Sequence, residues 1–399
     1  MLVPLNQEAT MSKTAALSSL KETDQPWAVH HDPERFARVA ELHRKAFAWE
    51  PQGWIPLGIH VVDPAHSADL SYDNWLDPAT MFGIQCHVLH DTLTVGSDLL
   101  PSMPLNHLGC APLASMFGAK LIMPDEAGAT FQDVGPTPLP ILCDIADVNE
   151  LAMPAMDAGI LPAVERIMVY YRQHLPSWID VVPPMPSGPF STAMQLRGSE
   201  LLIELVDRPT ECAKLIRMCA EAEANSSRYL HRRMGAQMDR LITNFGILGT
   251  GLRLGEDSMV NLSPEMIHAF CLPAFEAVND ICGGRGHVHF CSLVERRHEH
   301  IYTALADTDS VAVISSQFGF EYYQQHVDVL RGRLAVESFY GDALAHCIGE
   351  HGSFEQWAGG FVPRFKNESG LVLYMQVASV EEGQRYWQAW QDAHTLPQR

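Results

Sequence analysis

Apolar residues recur at near-helical spacing in DPERFARVAELHRKAFAWEP (32–51), where Phe36, Val39, Leu42 and Phe47 follow an Asp suited to a helix N-cap. The spacing predicts a first helix there. IPLGIHVV (55–62) is apolar and β-branched throughout, the pattern of a strand covered on both faces. Residues 63–160 are rich in Pro, Gly, Asp and His and predict long loops with short helices, of the kind that line a site. Further on, helical periodicity near 157–174, 198–206, 209–235, 263–283, 294–307, 319–331 and 379–394 is interleaved with short apolar runs. Those runs are IDVVPP (179–184), RLITNF (240–245), GHVHFC (286–291), SVAVISS (310–316), RLAVES (333–338) and GLVLYMQV (370–377).

Such alternation predicts an α/β fold with a parallel sheet and crossover helices. A closed (β/α)8 barrel and an open doubly wound sheet both satisfy it. No GxGxxG or GxxxxGK[ST] follows the first strand, which counts against a nucleotide-binding version. Residues 1–30 lack sustained periodicity and read as a loosely docked extension.

Composition narrows the function classes. The chain has 399 residues, 47% hydrophobic and 19% charged, enough to bury a large core. Asp and Glu number 48 against 27 Lys and Arg, and the net charge of −21 disfavours nucleic acid and anionic membranes as partners. Nine cysteines with no close CxxC pair suggest reduced thiols and a cytoplasmic setting. The first twenty residues show no cationic stretch leading into an apolar run, and no later segment approaches the roughly 20 apolar residues of a membrane span.

The densest chemical signal is Gly286-His287-Val288-His289-Phe290-Cys291. Side chains two apart on a strand share a face at about 6–7 Å, so His287, His289 and Cys291 offer two or three ligands to a metal such as zinc. The plainer alternative is a buried thiol beside histidines bonded to carbonyls. A second cluster follows Asn244, where a strand is expected to end in GILGTGLRLGEDSMVNLSPEM (246–266). Glu256 and Asp257 there could orient substrate or move protons, or Asp257 and Ser263 could only cap the next helix. Ser187 and Gly188 lie in a rigid turn after IDVV, facing a site at the strand tips or serving the turn alone. Cys86, His87, His90 and Asp91, and His60 on the first strand, are weaker candidates. No GxSxG or HExxH is present.

The segments PLNHLGCAPLASMFGAK, SGPFSTAMQLRG followed by ELLIELVDRPTECAKLI, GEDSMVNLSPEMIHAFCLPAFEAV, and GHVHFC resemble, in order and spacing, the uroporphyrinogen decarboxylase-like superfamily. The resemblance covers about residues 32–394. It implies a (β/α)8 TIM-type barrel over 55–399, an N-terminal helical extension over 1–54, and an active site at the C-terminal ends of the strands. The Arg-rich motif of the true decarboxylases, of the form MRQAGR, is missing, and the chain is closer to the corrinoid-dependent methyltransferase branch.

In that branch an HxC pair and a distant Cys hold zinc. His289 and Cys291 match the pair. Where the family places its second Cys, this chain has Tyr374-Met375-Gln376-Val377, so Cys347, His287 or Glu256 completes the site or the zinc is weak or absent. The resemblance implies transfer of a methyl group between a corrinoid and a small substrate such as a thiol, folate or methoxylated compound. Asn244, Glu256 and Asp257 would position substrate and manage protons, with His60, Ser187 and Gly188 around it. No DxHxxG corrinoid motif is present, so a partner protein would carry the cobalamin. A decarboxylase-like lyase and a non-catalytic partner barrel are the alternatives. Monomer or homodimer is left open.

Overall fold

The computed structural model describes residues 27–67, 74–105, 108, 111–122, 136–235, 241–292, 298–339 and 343–398. Residues 1–26, most of the segment 1–30 expected to be loosely docked, lie outside them, as do Cys110 and parts of the NHLGC segment.

Helix α1 (Pro33–Phe47) begins as its sequence dictates, with the Asp32 carboxylate accepting from Arg35 N at 2.9 Å and Pro at the first position. Strand β1 (Leu57–Val61) leads to α2 (Pro78–Val95), β2 (Ser102–Pro104), α3 (Ala111–Met116), and the short strands β3 (Leu121–Ile122) and β4 (Thr137–Pro138). Then come α4 (Leu161–His174), β5 (Asp180–Val182), α5 (Pro189–Arg197), α6 (Leu201–Asp207), α7 (Pro209–Arg233) and β6 (Arg253–Gly255). Helix α8 (Pro264–Met266) runs through a π-helical turn, Ile267–Cys271, into α9 (Leu272–Cys282). The remainder is β7 (Gly286–His289), α10 (Glu299–Ala306), β8 (Val311–Ser316), α11 (Gly319–Leu330), β9 (Ala335–Ser338), α12 (Ala343–His351), α13 (Phe354–Phe365), β10 (Leu371–Val377) and α14 (Val380–Thr395).

Six strands form a parallel sheet in the order β1-β10-β9-β8-β7-β6. A second parallel pair, β2 with β5, connects to both edges of that sheet. On one side Asp98 N donates to Leu57 O at 3.0 Å, just before β2. On the other, the chain after β5 bridges to β6 through Ser187 and Gly255, with Gly255 N donating to Pro186 O and Gly188 N to Gly255 O, each at 2.8 Å. The strands β3 and β4 form a separate antiparallel pair.

Strand alternation buries both faces of the sheet. Leu57, Ile59, Leu254, Val288, Ile314, Val336 and Leu373 join the large core shared with the helices. On the other face Ala312, Val313, Ala335, Val372 and Tyr374 pack with Ala46, Phe47, Leu99 and Ile247. This two-sided burial is why the strands read as continuous apolar runs. Helix α1 therefore does more than extend the chain. Its last turn enters this second cluster, and Gly370 N, at the foot of β10, donates to Ala46 O at 2.9 Å.

Two expectations are corrected. The described part of the run 240–245 is not a strand of the sheet: Leu241–Gly249 folds as a tight hairpin, with Thr243 N donating to Ile247 O at 2.8 Å and Gly249 N to Leu241 O at 2.7 Å. Gly246 turns it at φ +72°, and a Cβ there would sit 2.9 Å from Leu100 O. The hairpin delivers Ile247, fully buried, to the cluster of Ala312, Val313 and Tyr374, a burial worth about 1.5–3 kcal/mol. The strand in this region is instead β6, only three residues long and opened by Arg253.

The second correction concerns 63–160, which holds the 18-residue helix α2 as well as loops. Met81, Phe82, Cys86, Val88, Leu89, Leu93 and Val95 are all buried, so the helix is covered on several sides and shows no single apolar stripe. Asp77 caps it by accepting from Thr80 N at 2.8 Å, and Gly96 ends it in a left-handed conformation. Among the described residues, no helix is long and apolar enough to cross a membrane.

Candidate functional site

The C-terminal ends of β6, β7 and β8 lie side by side, and the chain leaving β6 and β7 carries the strongest donors. Glu256 N donates to His289 O at 2.7 Å, so pairing of the two strands runs on into the loop and sets Asp257 beside Cys291. Cys291 N in turn donates to the Asp257 carboxylate at 2.8 Å. His289 Nε2 lies 3.6 Å from Cys291 Sγ and 3.7 Å from Asp257 Oδ1. Bonds of about 2.0–2.3 Å to a tetrahedral zinc put ligand atoms roughly 3.4–3.8 Å apart, and these distances fall in that range.

The electrostatics favour the same use. His289 Nδ1 faces the Ser315 carbonyl at 3.1 Å and donates to it, which leaves the Nε2 lone pair for Cys291 and Asp257. Burial, helped by the nearby Arg253 guanidinium, lowers the imidazole pKa to about 4, so the ring is neutral as a ligand must be. Burial and then Asp257 push the Cys291 thiol up to about 11, so binding a cation there releases a proton. Asp257, His289 and Cys291 form the one such group of potential ligands among the described residues.

The third member of this group is Asp257, which is not among the three residues expected to complete a zinc site. Cys347 lies on α12, buried, its thiol raised by burial and by Glu321, and it is not part of the group. His287 points to the same face of β7 as His289, yet its Nε2 accepts from Thr250 N at 3.0 Å and its Nδ1 faces Glu337 at 3.6 Å. Its Nε2 lone pair is thus taken by a backbone amide, and its Nδ1 is turned toward a carboxylate. Glu256 turns away to the start of α5, where it accepts from Ser191 N at 2.6 Å. Burial raises its pKa to about 8 against the opposing pull of the Ser191 hydrogen bonds. Asp257 is the carboxylate that faces His289 and Cys291, and the next helix is capped by Ser263, which accepts from Met266 N at 3.3 Å.

The other expected residues separate into two groups. Ser187 is buried and lines a cavity of about 440 Å³ that also meets Gly255, Asp257, Ser258 and Ser191. Gly188 leaves room for Glu256. Asn244 sits near the tip of the inserted hairpin, where its Oδ1 lies 3.4 Å from Arg253 Nη1. His60, on β1, meets the Thr92 hydroxyl at 3.3 Å, and burial lowers its pKa to about 4. His60 and Asn244 share a cavity of about 10 Å³ whose lining includes none of Asp257, His289 and Cys291.

Arg253 was not singled out by the sequence. It is 4% exposed and lies over the Phe245 ring at 4.5 Å, with Nη2 donating to Ser315 Oγ at 2.9 Å and Nε 3.4 Å from Glu337 Oε1. Burial alone would raise the Glu337 pKa, but Arg253 and His287 outweigh it and hold the carboxylate well below its ordinary range. Ser315 joins the two centres: its carbonyl orients His289 and its hydroxyl sits between Arg253 and Glu337. The available signal was a charge flanked by Leu252 and Leu254, the alternation of a short strand.

The fold is similar to that of a solved methyltransferase from Methanosarcina mazei, with a TM-score of 0.62 over 90% of this chain and 98% of that chain, at 14% sequence identity. At that identity the likeness is one of fold. No family model matches the sequence, and no curated protein matches it significantly.

Proposed function

We propose that the protein is a methyltransferase of the uroporphyrinogen decarboxylase-like type, moving a methyl group between a corrinoid on a separate protein and a small substrate. In this reading the six-stranded sheet, β2 and β5 together form an eight-stranded (β/α)8 barrel, with the hairpin Leu241–Gly249 packed inside it. The carrying observation is the Asp257, His289 and Cys291 group, spaced for a tetrahedral ion beside the 440 Å³ cavity. The likeness in fold to the archaeal methyltransferase supports it.

Asp257, His289 and Cys291 would hold zinc. Bound there, the ion supplies positive charge that lowers a thiol pKa or stabilises a departing heteroatom. The Ser315 carbonyl fixes the His289 tautomer, and the Cys291 amide fixes Asp257. Ser187, Ser191 and Ser258 line the space in which a substrate is oriented for in-line transfer. The partner's corrinoid would approach from the open side of the same cavity.

The test is to measure zinc per chain in wild type and Cys291→Ala while following the visible spectrum of a reduced corrinoid protein with candidate donors. Near-stoichiometric zinc that is lost in Cys291→Ala, together with a donor-dependent spectral change, is expected. A metal-free protein that never alters the corrinoid spectrum would overturn the reading.

A further inference from the structure

We infer that the cavity beside Asp257 is built for a substrate with an apolar body and hydrogen-bonding groups but no negative charge. This rests on the cavity being the substrate site in the proposed reading. Among the described residues that line it, Asp257 carries the only charge, and there is no Lys, Arg or His to meet an anion. A carboxylate, sulfonate or phosphate placed there would meet no net positive charge: Asp257 alone is negative, and with zinc bound its carboxylate and the Cys291 thiolate balance the ion's two charges. The helix end that could have compensated is already engaged. Ser191 N, in the first turn of the nine-residue α5, donates to Glu256 instead of to the cavity.

The lining also has unmet polar groups. Ser187 is 1% exposed, and its Oγ has no hydrogen-bond partner among the described residues. Gln195 Oε1, on the next turn of α5 from Ser191, is likewise buried without one. Buried polar atoms of this kind are normally satisfied, and both residues line this cavity, so a ligand offering hydrogen bonds fits them. Pro136, Pro138, Pro140, Met194 and Ala111 make up the apolar wall. The class that matches is a neutral or cationic molecule such as an amide, alcohol or amine on an apolar frame.

Three probes of matched shape separate the alternatives: benzamide, benzylamine and benzoate. Their dissociation constants are measured by ligand-observed NMR on the full chain, with no corrinoid present, before and after treatment with a chelator. Benzamide and benzylamine are expected to bind at least about fivefold more tightly than benzoate, and Gln195→Leu to weaken benzamide by about fivefold. Thermal unfolding and zinc content of Gln195→Leu should stay at wild-type values. Benzoate binding as well as benzamide, an unchanged benzamide constant in Gln195→Leu, or no binding of any probe at millimolar concentration would overturn the inference. Because the readout needs neither metal nor methyl transfer, a failure of the proposed activity leaves the charge ranking intact, and the reverse also holds.

Discussion

Gly188 and Glu256 compete for the same volume: a Cβ on residue 188 would lie 1.7 Å from Glu256 Oε2 and 2.9 Å from its Cβ. Since the clash reaches the root of the Glu256 side chain, a rotation of the carboxylate alone cannot relieve it. Gly188→Ala should therefore cost about 3 kcal/mol, the upper end of overpacking penalties, read as a lower midpoint in urea. Adding Glu256→Ala should recover part of that loss. Two single variants whose effects simply add would show that the contact is not the cause.

Metal content tests Asp257 against Cys347 as the third ligand. Asp257→Asn should weaken zinc binding by about 100-fold or more, beyond the effect of outer-shell changes, whereas Cys347→Ala should leave it unchanged. Competition with a chromogenic chelator measures both. Weakening in Cys347→Ala would mean that α12 reaches the site in solution.

Arg253 and Glu337 are both buried, so the pair should behave asymmetrically under mutation. Arg253→Met leaves the Glu337 carboxylate without its main counter-charge and should destabilise by about 3–5 kcal/mol. Arg253→Met combined with Glu337→Gln should be markedly more stable than Arg253→Met alone. Urea unfolding of the four proteins gives the coupling directly. The disturbance should also reach the metal centre, since Ser315 touches both, and appear as weaker zinc binding.

Glu223, on α7, is buried, and its pKa rises from 4.5 to about 7 despite the Ser227 hydroxyl that donates to it at 2.6 Å. The folded state thus binds a proton more tightly than the unfolded chain does. That contribution is complete below 4.5 and is lost as pH rises through about 7. It amounts to about 3 kcal/mol. Glu223→Gln, which mimics the protonated acid, should flatten the decline in stability between those pH values. A variant that tracks the wild-type profile would show that Glu223 does not titrate in this range.

How much of this was legible in the sequence follows from range. The strands β1, β5 and β7 to β10 were readable because burial on both faces leaves a local apolar run. Helix α2 was not, because its apolar residues surround it and no single stripe marks the period. The hairpin at 241–249 has a strand's composition, and only its contact with Leu100 and the second cluster shows that it fills a space instead of joining the sheet. His289 and Cys291 were legible as neighbours on one strand. Asp257 was visible only as one of two adjacent acids, since what separates it from Glu256 is which of them faces Cys291 and which faces α5. Cys347 drew attention by residue type alone.

The pairing of β1 with β10 bears on how the chain is made. Leu57 lies opposite Leu373, 316 residues later, so β1 cannot acquire its neighbour on that side until β10 has left the ribosome. At about 5–20 residues per second that interval is on the order of tens of seconds. During it the apolar strand Leu57–Val61 has one unsatisfied edge, while β6 to β9 can already pair with one another in the order in which they emerge. Among the described strands of this sheet, β1 thus waits longest for a neighbour, and its apolar residues stay open on that edge throughout the interval.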